Sequence, residues 1–134
     1  MSHTSRPCVR VAALALIAAL AVAFGAGAAE PGEISAREAW ALVQAGDAPF
    51  FIDVRTPQEF AAGHVPGAVN IPRDQIPKHR AELAAAQDRL VVYCERGPRA
   101  FAAADTLQSE GFTQVRHLSG DMAGWRAAGL PIEK

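Results

Sequence analysis

The sequence predicts a three-layer α/β protein in which a central parallel sheet is flanked by helices. Short apolar runs typical of buried strands alternate with segments that favour helices. The apolar runs lie at 50–54, 90–93 and 115–118, and the helix-favouring segments lie at 36–44, 99–109 and 122–128. Strands that alternate with helices in this way pair in parallel, because each helix returns the chain to the end of the sheet at which the preceding strand began.

The first helix is predicted at 36–44. Ser35 can cap its N-terminus while the Glu38 side chain reaches back to the capping residue, which is the pattern of a capping box. Gly46 supplies the C-terminal stop. The apolar run at 50–54 then predicts the first buried strand.

Thr56 and the proline after it open a short helical turn. The loop at 63–68 is rich in glycine and proline, and a short strand can follow at 68–71. The segment at 73–87 is mostly polar, and we expect it to end in a surface helix at 81–87.

The strand at 90–93 leads directly into Cys94. A helix at 99–109 follows, with apolar residues at helical spacing. The strand at 115–118 and a last short helix at 122–128 complete the alternation.

Residues 1–28 have the layout of a secretory signal peptide. Two arginines precede an apolar run at 11–24, and small residues lead to a cleavage site near Ala28. Because the apolar run is shorter than the roughly 20 residues of a spanning helix, we expect export to the periplasm or secretion, with no stable membrane insertion after cleavage. A retained anchor is the alternative. The remaining domain would comprise residues 29–134.

The charge balance gives no indication of a nucleic-acid or membrane-surface partner. The 134 residues include 13 Lys and Arg and 14 Asp and Glu, and loss of Arg6 and Arg10 on cleavage would change the formal net charge from −1 to −3. Cleavage would also remove Cys8, and a lone Cys94 cannot form an intramolecular disulfide. Cys94 is therefore either buried and inert or a free reactive thiol.

The loop at 94–99 is predicted to direct backbone N–H groups at the Cys94 sulfur. A strand, a tight loop and a helix N-terminus meet there, and the positive end of the helix dipole points to the same place. Gly97 permits the turn, and Arg99 offers a fixed charge with a fork of donors suited to an oxyanion. Such a cradle favours a thiolate, which is the nucleophilic form of cysteine, or a persulfide.

A second pair of charged residues is expected at the same edge of the sheet. Asp53 and Arg55 follow the strand at 50–54, and ligands of parallel sheets bind beyond the carboxyl ends of strands. The alternative interpretation is a structural ion pair between Arg55 and Glu59.

The histidines do not indicate a metal site or a Cys-His pair. His64 has no second His, Cys or carboxylate at metal-ligand spacing, so we expect it to form structural hydrogen bonds. Neither His64 nor His117 can be placed against Cys94 from the sequence.

Three strings in a fixed order resemble a known family. They are IDVRTPQEFAAGHVPGAVNIP at 52–72, VVYCERGPRA at 91–100 and LSGDMAGWRAAGLP at 118–131. The middle string is similar to the C-x-x-G-x-R active loop of the rhodaneses, and the first to their D-V-R and G-H-x-P-G-A signature. The chain thus resembles a single-domain rhodanese, a sulfurtransferase, over 34–132.

The resemblance implies a rhodanese-like fold and a persulfide mechanism. Cys94 would take the outer sulfur of thiosulfate or a related donor and pass it to cyanide or a thiol, with ping-pong kinetics. Asp53 and Arg55 would support the site. The resemblance implies no metal and no organic cofactor. We expect a monomer that uses a small-molecule sulfur donor and a thiol or cyanide acceptor, with a protein acceptor as a further option. The substrate-binding loop would comprise Glu95, Arg96, Gly97, Pro98 and Arg99.

Three departures from the family pattern bear on the donor. Glu95 places a negative charge where many thiosulfate-using members have a basic residue, and Pro98 removes one N–H from the cradle. Asp121 stands within a segment, Gly120 to Met122, where the family usually has two glycines and an aromatic residue.

Three alternatives remain at the level of sequence. A phosphatase or arsenate reductase of the same fold would have five residues between cysteine and arginine, whereas this loop has four. A persulfide carrier or redox partner module would receive sulfur from a specific protein and show little small-molecule turnover. A catalytically silent binding domain does not require the Cys94 and Arg99 that are present.

Overall fold

A computed structural model of the chain describes residues 32–134. This part forms a five-stranded parallel sheet in the order β1-β5-β4-β2-β3, with helices on both faces. The strands are β1 (Glu33–Ile34), β2 (Phe50–Asp53), β3 (Val69–Asn70), β4 (Leu90–Tyr93) and β5 (Val115–Leu118). The helices are α1 (Ala36–Gln44), α2 (Pro57–Ala62), α3 (Arg80–Ala84), α4 (Pro98–Ser109) and α5 (Asp121–Ala127), and a 3₁₀-helix at Arg73–His79 precedes α3. The predicted fold class is confirmed.

The hydrophobic core has two halves, one on each face of the sheet. Successive residues of a strand point to opposite faces, so Phe51 and Ile52 of β2 belong to different halves. Leu107 of α4 packs in the half that contains Ile52, and Trp125 of α5 packs in the other. The central strand β4 is buried along its whole length, as expected for a strand covered on both faces.

Local signals place most of the elements correctly. The Ser35 hydroxyl accepts the Glu38 N–H at 3.2 Å, and the Glu38 carboxylate accepts the Ser35 N–H at 3.0 Å, so the predicted capping box is present. Strand β1 was missed, because two residues are too few to form a recognisable apolar run.

The helix predicted at 81–87 is wrong in its bounds. Helix α3 begins at Arg80 and ends at Ala84. Two tight turns follow, in which Ala86 N–H donates to the Leu83 carbonyl and Arg89 N–H to the Ala86 carbonyl. These turns bring Ala86 into the core and lead the chain into β4.

None of the helices in residues 32–134 combines the length and apolarity that crossing a membrane requires. The predicted signal peptide and its cleavage site lie outside the described residues.

Candidate active site

The carboxyl ends of β2 and β4 bring the predicted site residues together. The two strands are adjacent and parallel, with Asp53 in register with Tyr93. The Val54 N–H donates to the Tyr93 carbonyl at 3.1 Å, so the pairing continues to the last residue before Cys94. Asp53, Arg55 and Cys94 therefore lie at one edge of the sheet, as the sequence predicts.

The loop after β4 turns back on the Cys94 sulfur. Gly97 has φ 125°, and its N–H donates to Cys94 Sγ at 3.0 Å. This positive φ favours glycine, and a Cβ at Gly97 would also lie in tight contact with the Phe101 ring, at 3.2 Å. Pro98 begins α4, where a helix has no use for the missing N–H. Cys94 itself is buried and forms no disulfide in the described part of the chain.

The Arg55 guanidinium is held in place by hydrogen bonds to a carboxylate and to a backbone carbonyl. Its Nε and Nη2 donate to the Asp53 carboxylate at 2.7–3.2 Å, and Nη2 also donates to the Gly63 carbonyl at 2.7 Å. Arg55 is only 1% exposed. Burial is the largest influence and lowers the pKa of Arg55, but Asp53, Tyr93 and Glu95 together outweigh it and raise the pKa above its ordinary value.

The alternative ion pair between Arg55 and Glu59 is wrong. Arg55 pairs with Asp53 at 2.7 Å and approaches Glu95 at 3.7 Å. The Glu59 carboxylate instead accepts two hydrogen bonds from Arg99, at 2.8 and 3.3 Å. Arg55 precedes the helix, so the i, i+4 spacing of a helix face does not apply to it.

The charge on Glu95 is compensated within the fold. The Glu95 carboxylate accepts hydrogen bonds from Arg126 of α5 and lies 3.7 Å from Arg55 Nη1. Arg96, the next residue of the loop, is exposed and forms no ion pair within residues 32–134. With Arg99 on Glu59, the acidic and basic groups around Cys94 are mostly paired.

His64 has the structural role that the sequence predicts. Its Nδ1 lies 2.9 Å from the Phe60 carbonyl oxygen, and its ring stacks on the Phe60 ring with centroids 3.7 Å apart. The His64 backbone also forms two hydrogen bonds with Glu133, which hold the C-terminal segment against the loop.

The sequence did not identify Asp121 as a hydrogen-bond partner of Cys94. The Cys94 N–H donates to Asp121 Oδ1 at 3.0 Å, and His117 Nε2 lies 2.9 Å from the same oxygen. The Asp121 and His117 side chains are both buried. One feature of the sequence could have indicated this role. Asp121 places a carboxylate at a helix start, at a position where the resembled family usually has a second glycine.

Comparison with known proteins gives consistent matches. The family model of the rhodanese-like domain matches residues 35–128. A sulfurtransferase of Allochromatium vinosum is 37% identical over 81 residues, which cover 60% of this chain and 75% of that protein. The chloroplastic thiosulfate sulfurtransferase 16 of Arabidopsis thaliana is 32% identical over 118 residues, which cover 77% and 93%. The solved structure of a human single-domain sulfurtransferase aligns with a TM-score of 0.61 at 28% identity, covering 72% of this chain and 96% of that one.

Proposed function

The chain belongs to the rhodanese-like domain family, and on this basis we propose that it is a sulfurtransferase in which Cys94 carries the transferred sulfur as a persulfide. The observation that carries the proposal is the hydrogen bond from the Gly97 N–H to Cys94 Sγ, at 3.0 Å and at the carboxyl end of a central strand. A backbone donor in this position stabilises negative charge on sulfur. The relatives named as sulfurtransferases support the reaction class.

The proposed reaction has two balanced steps. The Cys94 thiolate attacks the outer sulfur of thiosulfate, a new S–S bond forms, and the S–S bond of the donor breaks. Sulfite leaves with the bonding electron pair, and Cys94 becomes a persulfide anion. Cyanide or a thiolate acceptor then attacks the outer sulfur and leaves with it, which restores the Cys94 thiolate.

The loop residues would divide the work of binding the donor. The Gly97 N–H donates to Cys94 Sγ, and the N–H groups of Glu95, Arg96 and Arg99 would join it in holding an anionic sulfur, while Pro98 has none. The guanidinium of Arg99, with Arg96 at the exposed loop tip, would receive the sulfonate. Asp53 and Arg55 support the floor of the site and take no part in bond breaking.

A persulfide carrier that serves a specific protein is the second candidate, and the ion pairs at the loop favour it. Arg99 is bound to Glu59, so the sulfonate of thiosulfate must compete with a carboxylate for the same donors. A persulfide on a protein thiol has no sulfonate and needs no free guanidinium. In this case the Cys94 thiolate attacks the outer sulfur of the partner persulfide, and the partner thiolate leaves.

Intact mass separates these functions. The full chain is incubated with thiosulfate beside its Cys94→Ser variant, and cyanide is added afterwards. We expect the wild type alone to gain one sulfur atom and to lose it to cyanide. A gain on the Cys94→Ser chain would assign the sulfur to another residue and contradict the proposal.

If thiosulfate leaves Cys94 reduced and alkylatable, it is not the donor. A low-molecular-weight persulfide is then offered in its place. Loading of Cys94 by the persulfide alone would support the carrier. Loading by neither compound would contradict sulfur transfer through Cys94.

We also propose that the chain is exported and that its signal peptide is cleaved near Ala28. A basic region, an apolar run and small residues in order support this assignment. The measurement is the mass of the N-terminal peptide in periplasmic and cytoplasmic fractions of bacterial cells. Uncleaved chain confined to the cytoplasmic fraction would contradict it.

A further inference from the structure

Asp121 begins α5 in a backbone conformation that favours glycine. Its φ is 54°, and no other non-glycine residue in the described part of the chain has a positive φ. Gly120 before it is also left-handed, with φ 79°. A side chain is retained in such a conformation only where its contacts offset the strain. The contacts of the Asp121 carboxylate therefore need an explanation.

The Asp121 carboxylate lies against the peptide of the nucleophile. It is buried, and its Oδ1 accepts the Cys94 N–H at 3.0 Å. The same turn of α5 holds the next two carbonyls, because Met122 N–H donates to the Cys94 carbonyl at 3.0 Å and Ala123 N–H to the Glu95 carbonyl at 3.1 Å. The start of α5 thus binds both the backbone N–H and the backbone carbonyl of Cys94.

His117 of β5 faces this carboxylate from the sheet. Its Nε2 lies 2.9 and 3.0 Å from the two Asp121 oxygens. Glu33 of β1 approaches Nδ1 at 3.6 Å, and from α4 the apolar ring of Phe101 lies against the imidazole, with centroids 4.5 Å apart. Both charged groups that face the ring are acidic. The hydrogen bond to Asp121 is the largest influence and raises the pKa of His117, although burial opposes it.

A carboxylate in this position has two opposing effects on Cys94. Its hydrogen bond holds the Cys94 peptide, but its negative charge opposes negative charge on the sulfur of the same residue. The carboxylate also lies close to the loop itself, since a Cβ at Gly97 would be 3.5 Å from Asp121 Oδ2. A protonated His117 makes the Asp121–His117 pair formally neutral and leaves only the hydrogen bond.

We propose that Asp121 is a positioning residue for the Cys94 nucleophile and that the His117 imidazolium compensates its charge, so that the sulfur can become anionic. The inference rests on the proposed function, in which Cys94 passes through thiolate and persulfide anions. It follows that Cys94 loses reactivity when His117 loses its proton, because Asp121 is then uncompensated.

The test measures the rate at which iodoacetamide alkylates Cys94 in the full chain. The Cys94 peptide is quantified by mass spectrometry, so Cys8 does not contribute. His117→Gln keeps an N–H donor but loses the charge, and we expect alkylation at neutral pH to slow about tenfold, the effect of one uncompensated charge. Asp121→Asn keeps an acceptor for the Cys94 N–H, and we expect alkylation at least as fast as in the wild type.

The double variant distinguishes charge compensation from a merely structural contact. With both charges removed, we expect most of the rate lost in His117→Gln to return. A structural role predicts instead that the double variant is as slow as His117→Gln or slower. That result, or an unchanged rate in His117→Gln, would overturn the inference.

The pH profile provides a second test if His117→Gln fails to fold. As pH rises above neutral through the titration of His117, the wild type should fall behind Asp121→Asn in alkylation rate. A constant ratio between the two proteins would overturn the inference. Alkylation needs no sulfur donor, so failure of both thiosulfate and a low-molecular-weight persulfide to load Cys94 would contradict the proposed function without affecting this result.

Discussion

Substitution of Glu59 by glutamine should improve the use of thiosulfate. The Glu59 carboxylate accepts Arg99 Nη1 at 2.8 Å and Nη2 at 3.3 Å, and both side chains are about 40% exposed. The hydrogen bond from Arg99 is the largest influence on Glu59 and lowers the pKa of its carboxyl group. If Arg99 receives the sulfonate of the donor, each binding event must first displace Glu59. Glu59→Gln removes the negative charge of that competitor and leaves only a weaker, neutral acceptor.

The expected gain follows from the strength of the displaced pair. An exposed ion pair contributes about 0.2–1 kcal/mol, and 1 kcal/mol corresponds to roughly fivefold in an equilibrium constant. The KM for thiosulfate should therefore fall by up to about fivefold, with kcat little changed because Cys94 and its loop are untouched. The helix cap is preserved, since a glutamine at this position still accepts the Thr56 N–H that Glu59 now accepts at 3.3 Å.

The assay is thiocyanate formation at varied thiosulfate and fixed cyanide. Glu110→Gln is the matched control, because Glu110 pairs with Arg80 at the far end of α4 and its loss changes the net charge equally. Arg99→Gln should raise the KM. Competition between Glu59 and the donor for Arg99 would be refuted if Glu59→Gln and Glu110→Gln had the same effect on the KM. It would also be refuted if Arg99→Gln left the KM unchanged.

Three further outcomes are expected. Asp53→Asn leaves the buried Arg55 guanidinium without its carboxylate. The free energy of unfolding, measured in urea, should therefore fall by about 3 kcal/mol. A loss below about 1 kcal/mol would contradict a buried ion pair. Tyr93→Phe removes the hydroxyl that accepts the Val65 N–H at 3.1 Å, and should lower the same free energy by about 1–3 kcal/mol while sulfur loading persists. Loss of loading in a folded Tyr93→Phe protein would contradict a purely structural role. The raised pKa of His117 implies stabilisation that is full below its ordinary pKa of about 6.5 and is lost as pH rises through the raised value. The melting temperature of the wild type should therefore exceed that of His117→Gln more at acidic than at alkaline pH, and an equal difference at both would count against the linkage.

The parts of the fold that the sequence predicted are those set by neighbours in the chain. The Ser35 and Glu38 capping box joins residues within one turn, and the buried strand β4 is a single apolar run. The Cys94 loop is likewise contiguous, so its turn at Gly97 could be predicted from a strand, a glycine and a helix start. Strand β1 has no such signal, because its two residues are defined only by pairing with β5.

The partners of charged residues are set by the fold and could not be predicted in this way. Helix spacing offered Glu59 as an alternative partner for Arg55, yet Arg55 is buried and pairs with Asp53. Asp121 contacts Cys94 across 27 positions of sequence, and only the parallel order of β4 and β5 brings α5 to the Cys94 loop. In each case the sequence shows the charge of the side chain, but it does not show which distant residue the fold places beside it.

Glu95 shows why this difference matters for function. In the sequence it is a negative charge directly after Cys94, and such a charge would oppose an anionic donor. In the fold its carboxylate is bound by Arg126 and lies near Arg55, so its negative charge is compensated within the protein. The other ion pair beside the Cys94 loop joins Arg99 and Glu59, which are 40 positions apart. Under the proposed function, we expect the choice between thiosulfate and a protein persulfide to depend on how readily this pair opens, and the KM of Glu59→Gln for thiosulfate tests that expectation.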